Sequence, residues 1–509
     1  MSRPSAFRRR LLLNTAAHGF TTVWMMVLTL VTLPALLHGL GPETFGIWVL
    51  IQTFSADSGW LSLADLGIAG ALTRSVAGHA STDRHREHLL VLSSGVVLLV
   101  GIGACASILL AVLGPSVLTG LFQVPPDQTH AAGVAIVVFS GQVFLEFVLA
   151  GFRAGLEGAQ RVDLSRAVVV VTRTLQLGST AVLALSGRGL VAVAVGSVVS
   201  TAIGALAGAV LLGSHLPGRL GRPSVTEMRA LVAYGVRIAG LNASGVLHRT
   251  MDRLVVGAII GPSGVALVEI AAQVQGGASA VLASTTYVAL SASPWVAARE
   301  APGKLRELLI RGTKYSMLAT LPVVLGVALV AVPLVDVWVG PSYAAAAGLI
   351  QLALVYIGLA ATVTVATLML EGTGHAGRVL GPSLVTTVLN LVLSIVLVRR
   401  IGVAGAFIAT ILAMAVFIPA VLRHALRTYA LGLATFLRSS IVPSWWPSVG
   451  QAALTGLVVA APLGSLGTLL LGGGLGLGAF VAIAWRWSLG RAERGELLPL
   501  LRPAPASDT

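Results

Sequence analysis

Lysine occurs only twice in this 509-residue chain, cysteine once, and charged side chains of every kind together make up 10%. Each scarcity excludes something. A single cysteine, Cys105, rules out an intramolecular disulfide and a cysteine-based metal cage. It lies in an apolar run and reads as a small packing residue. With Lys304 and Lys314 as the only lysines, no phosphate-binding loop of the GxxxxGK[ST] type exists. No HExxH pair occurs, and His85 and His88, three residues apart without a third ligand, read as a solvated pair rather than a metal site. A soluble domain carries roughly 25% charged residues, so most of this chain has no surface made for water. The sequence therefore points away from an enzyme, and it calls for no cofactor.

Apolar residues fill the space that charge leaves: they make up 56% of the chain, and mean hydropathy is +0.92. A bilayer core takes about 20 apolar residues per helix. The sequence predicts an all-α, polytopic membrane protein of about fourteen spans, near 11–39, 45–70, 89–113, 131–152, 167–187, 190–212, 238–259, 264–288, 315–338, 345–370, 380–398, 402–422, 447–462 and 465–485. The first apolar run is too long for the core of a secretory signal, so it reads as an uncleaved first helix.

Charge is sorted between the connections. Of the 33 basic residues, 27 fall in alternate connections and the termini, against Arg188, Arg399 and Arg400 in the others. That asymmetry is the positive-inside pattern. It predicts a multi-pass protein of the cytoplasmic membrane with both termini cytoplasmic. It also explains the net charge of +14 without a nucleic-acid partner.

Three short external turns carry Gly-Pro pairs: Gly41-Pro42, Gly261-Pro262 and Gly340-Pro341. Proline stops a helix and glycine takes backbone angles closed to its neighbours. The first two pairs lie 220 residues apart and follow the first and seventh spans. This spacing predicts two six-helix lobes, 1–212 and 236–422, joined by a cytoplasmic linker 213–235. A second linker, 423–446, leads to an extra helix pair at 447–485 and a cytoplasmic tail at 486–509. Repeats of this kind recur in secondary transporters.

Ionisable residues inside spans are costly and mark function by default. By depth, Asp57 and Arg249 fall near the midplane, Glu146 and Arg173 in the inner half, and Asp252, Arg253 and Glu269 in the outer half. Arg249, Asp252 and Arg253 share one helical face. Read structurally, Asp252 neutralises one of those arginines, and Glu146 pairs with Arg173. Asp57 has no basic residue within its own span. Asp65 and Arg74 read as topological or gating residues.

The run Leu40-Gly41-Pro42-Glu43-Thr44-Phe45-Gly46-Ile47-Trp48, with Leu63-Ala64-Asp65-Leu66-Gly67 and Thr73-Arg74 after it, resembles the opening helix pair of bacterial polysaccharide flippases. Those are the O-antigen and lipid-linked oligosaccharide translocases of the multidrug/oligosaccharidyl-lipid/polysaccharide exporter superfamily. Met251-Asp252-Arg253-Leu254-Val255-Val256-Gly257 resembles that family's seventh helix. The resemblance implies two six-helix bundles around a cavity that opens alternately to each side. The cargo it implies is an undecaprenyl-diphosphate-linked oligosaccharide for cell-surface polysaccharide synthesis. Partners would be that lipid-linked oligosaccharide, membrane lipid, and a polysaccharide polymerase or glycosyltransferases. Arginine suits a diphosphate through its bidentate, permanently charged fork, so Arg249, Arg253 and Arg173 are the expected substrate contacts. Asp57, Glu146 and Asp252 are the expected ion-coupling carboxylates. A cation-coupled multidrug or small-molecule antiporter of the same superfamily is the alternative, followed by a lipid II flippase and a membrane glycosyltransferase.

Overall fold

The computed structural model describes residues 4–80, 85–216, 218, 221–297, 302–490 and 493–495; side chains are described from residue 24 on, except at 79–80, 85, 237–244, 248–249, 287–292, 294–297 and 302. The described residues are helical with short turns between. The helices are α1 (Pro4–Gln52), α2 (Ile68–Ala80), α3 (His85–Leu121), α4 (Thr129–Gly158), α5 (Val162–Leu185), α6 (Gly189–His215), α7 (Val225–Ile259) and α8 (Pro262–Ala297). They continue with α9 (Pro302–Leu329), α10 (Ala331–Trp338), α11 (Ala345–Ala361), α12 (Thr364–Gly372), α13 (Gly377–Ile401), α14 (Ala404–Thr428), α15 (Leu433–Phe436), α16 (Val442–Ala460) and α17 (Ser465–Ile483).

Ten helices among the described residues are long and apolar enough to cross a membrane, or eleven if α11 and α12, bent by 46°, count as one span. The expected fourteen are not all met by that measure, for three local reasons. The second expected span loses its helix at Gln52, α7 carries Arg249, Asp252 and Arg253, and α16 opens on Pro443, Trp445, Trp446 and Pro447. Apolar side chains nevertheless cover the outward faces: Val112 of α3, Leu206 of α6 and Leu457 of α16 are each about two-thirds exposed. Water would not tolerate such a belt, whereas lipid requires it. Cys105 belongs to this exposed face of α3 and not to the core expected for it. The chain is a membrane protein.

Two compact units divide it, Met1–Glu269 and Ile270–Thr509. In the first unit, α4 packs against α3 and α6, α5 against α1 and α6, and α2 lies on α4, α3 and α7. Helix α1 breaks at Gly41 (φ 76°, ψ 164°). Before the break it climbs beside α5, with Trp24 donating to Thr174 at 2.9 Å and Gly39 against the Ala184 backbone. After the break it descends beside α4, with Thr44 bonded to Gln128 at 3.1 Å and Trp48 edge-on to Phe139 at 6.0 Å. All three Gly-Pro glycines have the positive φ that a side chain resists, at 76°, 104° and 100° for Gly41, Gly261 and Gly340. The first two turns meet, because a Cβ on Gly46 would fall 1.8 Å from the Pro262 carbonyl oxygen. Gln123 joins them by donating to the carbonyls of Ala258 and Ile259 at 3.1 and 3.0 Å. Thus one end of this unit gathers the α1, α3–α4 and α7–α8 turns. The opposite end holds the arginine-rich turns, with Arg74 bonded to Tyr234 and stacked 4.8 Å over its ring.

In the second unit α9 is the hub, packed by α11, α12, α16 and α17, while α13 and α14 form a hairpin. The last helix pair is joined to this hub by polar bonds as well as by packing. Ser444 donates to the Lys314 carbonyl at 3.2 Å, and Gln451 to the Pro322 carbonyl at 2.8 Å. Lys314, a flank residue in the sequence, is buried in α9 and paired with Glu493 at 2.7 Å.

Candidate functional site

The first unit holds its charge where the second expected span fails as a helix. Residues 53–59 form turns between Gln52 and the short 3-10 helix Trp60–Asp65. Irregular backbone at membrane depth leaves amides without helical partners, and it persists only where protein satisfies them. Glu146, on α4, does so. Its Oε2 accepts from the backbone N–H of Ala56 at 2.7 Å, of Asp57 at 3.2 Å, and from the Ser55 hydroxyl at 2.9 Å. The four-residue step to Gln142 puts both on one face of α4, and Gln142 Nε2 donates to Glu146 Oε1 at 2.8 Å.

From Gln142 the bonds continue through two more helices. Ser197 of α6 donates to Gln142 Oε1 at 2.5 Å, Gln176 of α5 donates to Ser197 at 2.7 Å, and Arg173 of α5 donates to Gln176 Oε1 at 2.8 Å. Arg173 also pairs with Asp57, whose own amide rests on Glu146, so the path closes on itself. Its direction is fixed at both ends. Arg173 can only donate and ionised Glu146 can only accept, so every amide and hydroxyl between them has one permitted orientation. The pairing expected between Glu146 and Arg173 is instead a relay through Gln142, Ser197 and Gln176.

Arg153 completes the group. The sequence places it in a cytoplasmic connection, but it belongs to α4, with its Nη1 3.5 Å from Asp57 Oδ1. Its Nε is buried without a hydrogen-bond partner among the described residues. The available signal was spacing: Arg153 lies seven residues after Glu146, two turns along the same face. Asp57 therefore has two arginine partners, from helices that are distant in sequence.

A cavity of about 490 Å³ opens beside this group, lined by Asp57, Glu146 and Arg153 and by Asp65, Glu157 and Thr73. Behind it a recess of about 40 Å³ reaches Arg173, Gln176 and Thr201. Asp65 does local work by accepting the Ala69 amide at 3.0 Å at the start of α2. Arg74 sits outside this lining, against Tyr234.

The candidates on α7 form a separate group. Arg253 pairs with Glu269 of α8 at 2.7 Å and not with Asp252, whose other expected partner, Arg249, has its side chain outside the described residues. Among the described residues Asp252 has no hydrogen-bond or ion-pair partner. The side chain of Arg249 lies outside the described residues, as does that of His85. His88 is buried at 6% exposure, not solvated.

Comparison with known proteins gives this arrangement a family. The sequence model described as "Polysaccharide biosynthesis protein" matches residues 39–348, more than half of the chain. The chain belongs to that family. Its fold is shared with solved transporters. The lipid II flippase MurJ in an inward closed conformation superposes with a TM-score of 0.74 at 12% identity, over 96% of this chain and 100% of that one. An inward-facing multidrug resistance MATE family transporter of the MOP superfamily gives 0.66 at 16% identity, over 79% and 95%. Its outward-facing counterpart gives 0.55 at 16%, over 84% and 97%. No curated protein matches the sequence. At these identities the likeness establishes the transporter fold, and the family match places the chain in a polysaccharide biosynthesis family.

Proposed function

We propose that this protein flips an undecaprenyl-diphosphate-linked oligosaccharide across the cytoplasmic membrane by alternating access, with both termini in the cytoplasm. The observation that carries the reading is a polar, ion-lined cavity inside a helical membrane unit of a polysaccharide biosynthesis family member. The arginines assigned to the diphosphate, Arg173 and Arg253, are each held by a carboxylate, Asp57 and Glu269; Arg249 is assigned with them. Substrate phosphate would replace those carboxylates on the guanidinium forks. Each carboxylate so released becomes a place for a coupling cation. Asp57 is such a carboxylate; Glu146 beside it and Asp252 on α7, which hold no arginine among the described residues, are assigned to cation coupling with it. Lipid-linked sugar and cation would then exchange partners in one step, with no nucleotide consumed.

A second reading has its own support: four carboxylates, Asp57, Asp65, Glu146 and Glu157, line the cavity against one arginine, Arg153. That balance suits an amphipathic cation, the cargo of an antiporter. Purified protein in liposomes separates the two. Under the flippase reading, a diphosphate-linked oligosaccharide becomes accessible to an external glycosidase faster than in empty liposomes, and Arg173→Gln and Arg253→Gln slow it. Proton-driven uptake of ethidium with no gain in lipid accessibility would overturn the flippase reading in favour of the antiporter.

A further inference from the structure

Between Glu371 and Glu493 the chain contains no acidic residue, yet it contains eight arginines: 378, 399, 400, 423, 427, 438, 486 and 491. Apart from Arg491, which precedes Glu493 by two residues, these cations have no acidic neighbour within six residues in the sequence. Two of them, Arg423 and Arg427, stand four residues apart on the last turns of α14, exposed and without an ion-pair or hydrogen-bond partner among the described residues.

They border an apolar groove of about 660 Å³. Ile418, Leu422 and Leu426, successive four-residue steps on α14, form one wall, and Leu431 and Leu433 form the other. The chain reverses between the walls at Ala430, which holds φ at 50°. Leu433 is 54% exposed, so the groove is open at this wall. An apolar slot with a doubly cationic rim is complementary to one class of molecule in a membrane, a lipid whose acyl chain fills the slot and whose phosphate sits between two guanidinium groups.

We infer that the groove between α14 and α15 is a binding site for one anionic phospholipid, with Arg423 and Arg427 on its phosphate. The site lies within the second unit, apart from the cavity of the first, and stands whatever cargo the protein carries. The rival account is that both arginines only complement the carbonyl end of α14. It predicts no lipid selectivity.

Native mass spectrometry of the detergent-purified full chain decides between them, with phosphatidylglycerol and phosphatidylcholine as probes. Wild type should retain one phosphatidylglycerol in preference to phosphatidylcholine. At about 1 kcal/mol per basic residue the double variant Arg423→Gln/Arg427→Gln should bind it roughly 30-fold more weakly, with retention of phosphatidylcholine unchanged. Leu433→Trp narrows the groove and leaves the arginines intact, and should also displace the lipid. Added glycerol phosphate should not compete, because it has no chain for the groove. Equal retention of both lipids by wild type would overturn the assignment. So would undiminished phosphatidylglycerol retention in a double variant that melts with the wild type, or full competition by glycerol phosphate.

Discussion

Replacing Glu146 by glutamine keeps shape and removes only charge, and the bond path around it shows why that is enough to do harm. The carboxylate accepts four hydrogen bonds, three on Oε2 and one on Oε1. A glutamine could satisfy the three donors with its oxygen, which turns its NH2 toward Gln142. Gln142 must then flip, Ser197 must turn its hydrogen toward Gln176, and Gln176 must flip in turn. The last flip points an NH2 at Arg173, which has no acceptor to offer. One buried donor–donor contact survives every rearrangement. An unsatisfied buried group costs about 1–3 kcal/mol. The change also removes a carboxylate that shares one recess with Asp57, Arg153 and Arg173, and breaking a buried ionic group costs about 3–5 kcal/mol. We expect Glu146→Gln to lower the melting temperature in detergent by on the order of 10 °C and to reduce membrane abundance. Ser197→Ala cuts the same path between neutral groups and should cost about 1–2 kcal/mol. A Glu146→Gln protein that melts with the wild type, or one milder than Ser197→Ala, would refute the fixed direction of the path.

Glu269→Gln should strand Arg253 at a cost of about 3–5 kcal/mol and lower abundance. Arg253→Gln in the same chain should restore it, whereas Asp252→Asn should leave abundance unchanged; failure of that rescue, read by quantitative membrane blotting, removes the pair. At the C-terminal end, burial raises the pKa of Glu493. The bonds from Lys314, the Gly490 amide and Tyr315 outweigh it and hold the carboxyl below its ordinary value. A depressed pKa keeps its stabilising effect above the unfolded value, about 4.3 for glutamate, and loses it only as pH falls through the folded one. Protection of residues near Glu493 from hydrogen exchange should therefore persist from pH 8 to about pH 5 and vanish in stronger acid. Glu493→Gln should lose it already at neutral pH, and a loss between pH 7 and pH 5 in the wild type would contradict the assignment.

Much of the fold could be read from the chain because membranes impose one-dimensional rules. Apolar runs of bilayer length marked most helices, and the Gly-Pro pairs marked turns whose glycines do have positive φ. The break at 53–59 was hidden because Phe54 within it and Trp60 and Leu61 after it keep the window apolar, and hydropathy does not register a lost hydrogen bond. The site was half legible. Asp57, Glu146 and Arg173 stood out as charges at depth, but their connection runs through Gln142, Ser197 and Gln176, which are ordinary polar residues in any sequence. Arg153 was masked by its place at the basic end of a helix, where a flanking charge needs no further explanation. On α7, the local spacing favoured Asp252 as the partner of an arginine, whereas the structure reaches across to α8 for Glu269.

The amides of Ala56 and Asp57 lie outside any helix yet both point at one charged oxygen. Their proton chemical shifts should therefore register the charge on Glu146 directly. While the carboxylate is ionised, these two signals should stand downfield and exchange slowly, unlike those of other turn residues. When a proton or a metal cation occupies the oxygen, both should move together. Selective nitrogen labelling of alanine would make Ala56 a resident gauge of coupling, read in a lipid nanodisc without a dye, a substituted residue or a transported substrate.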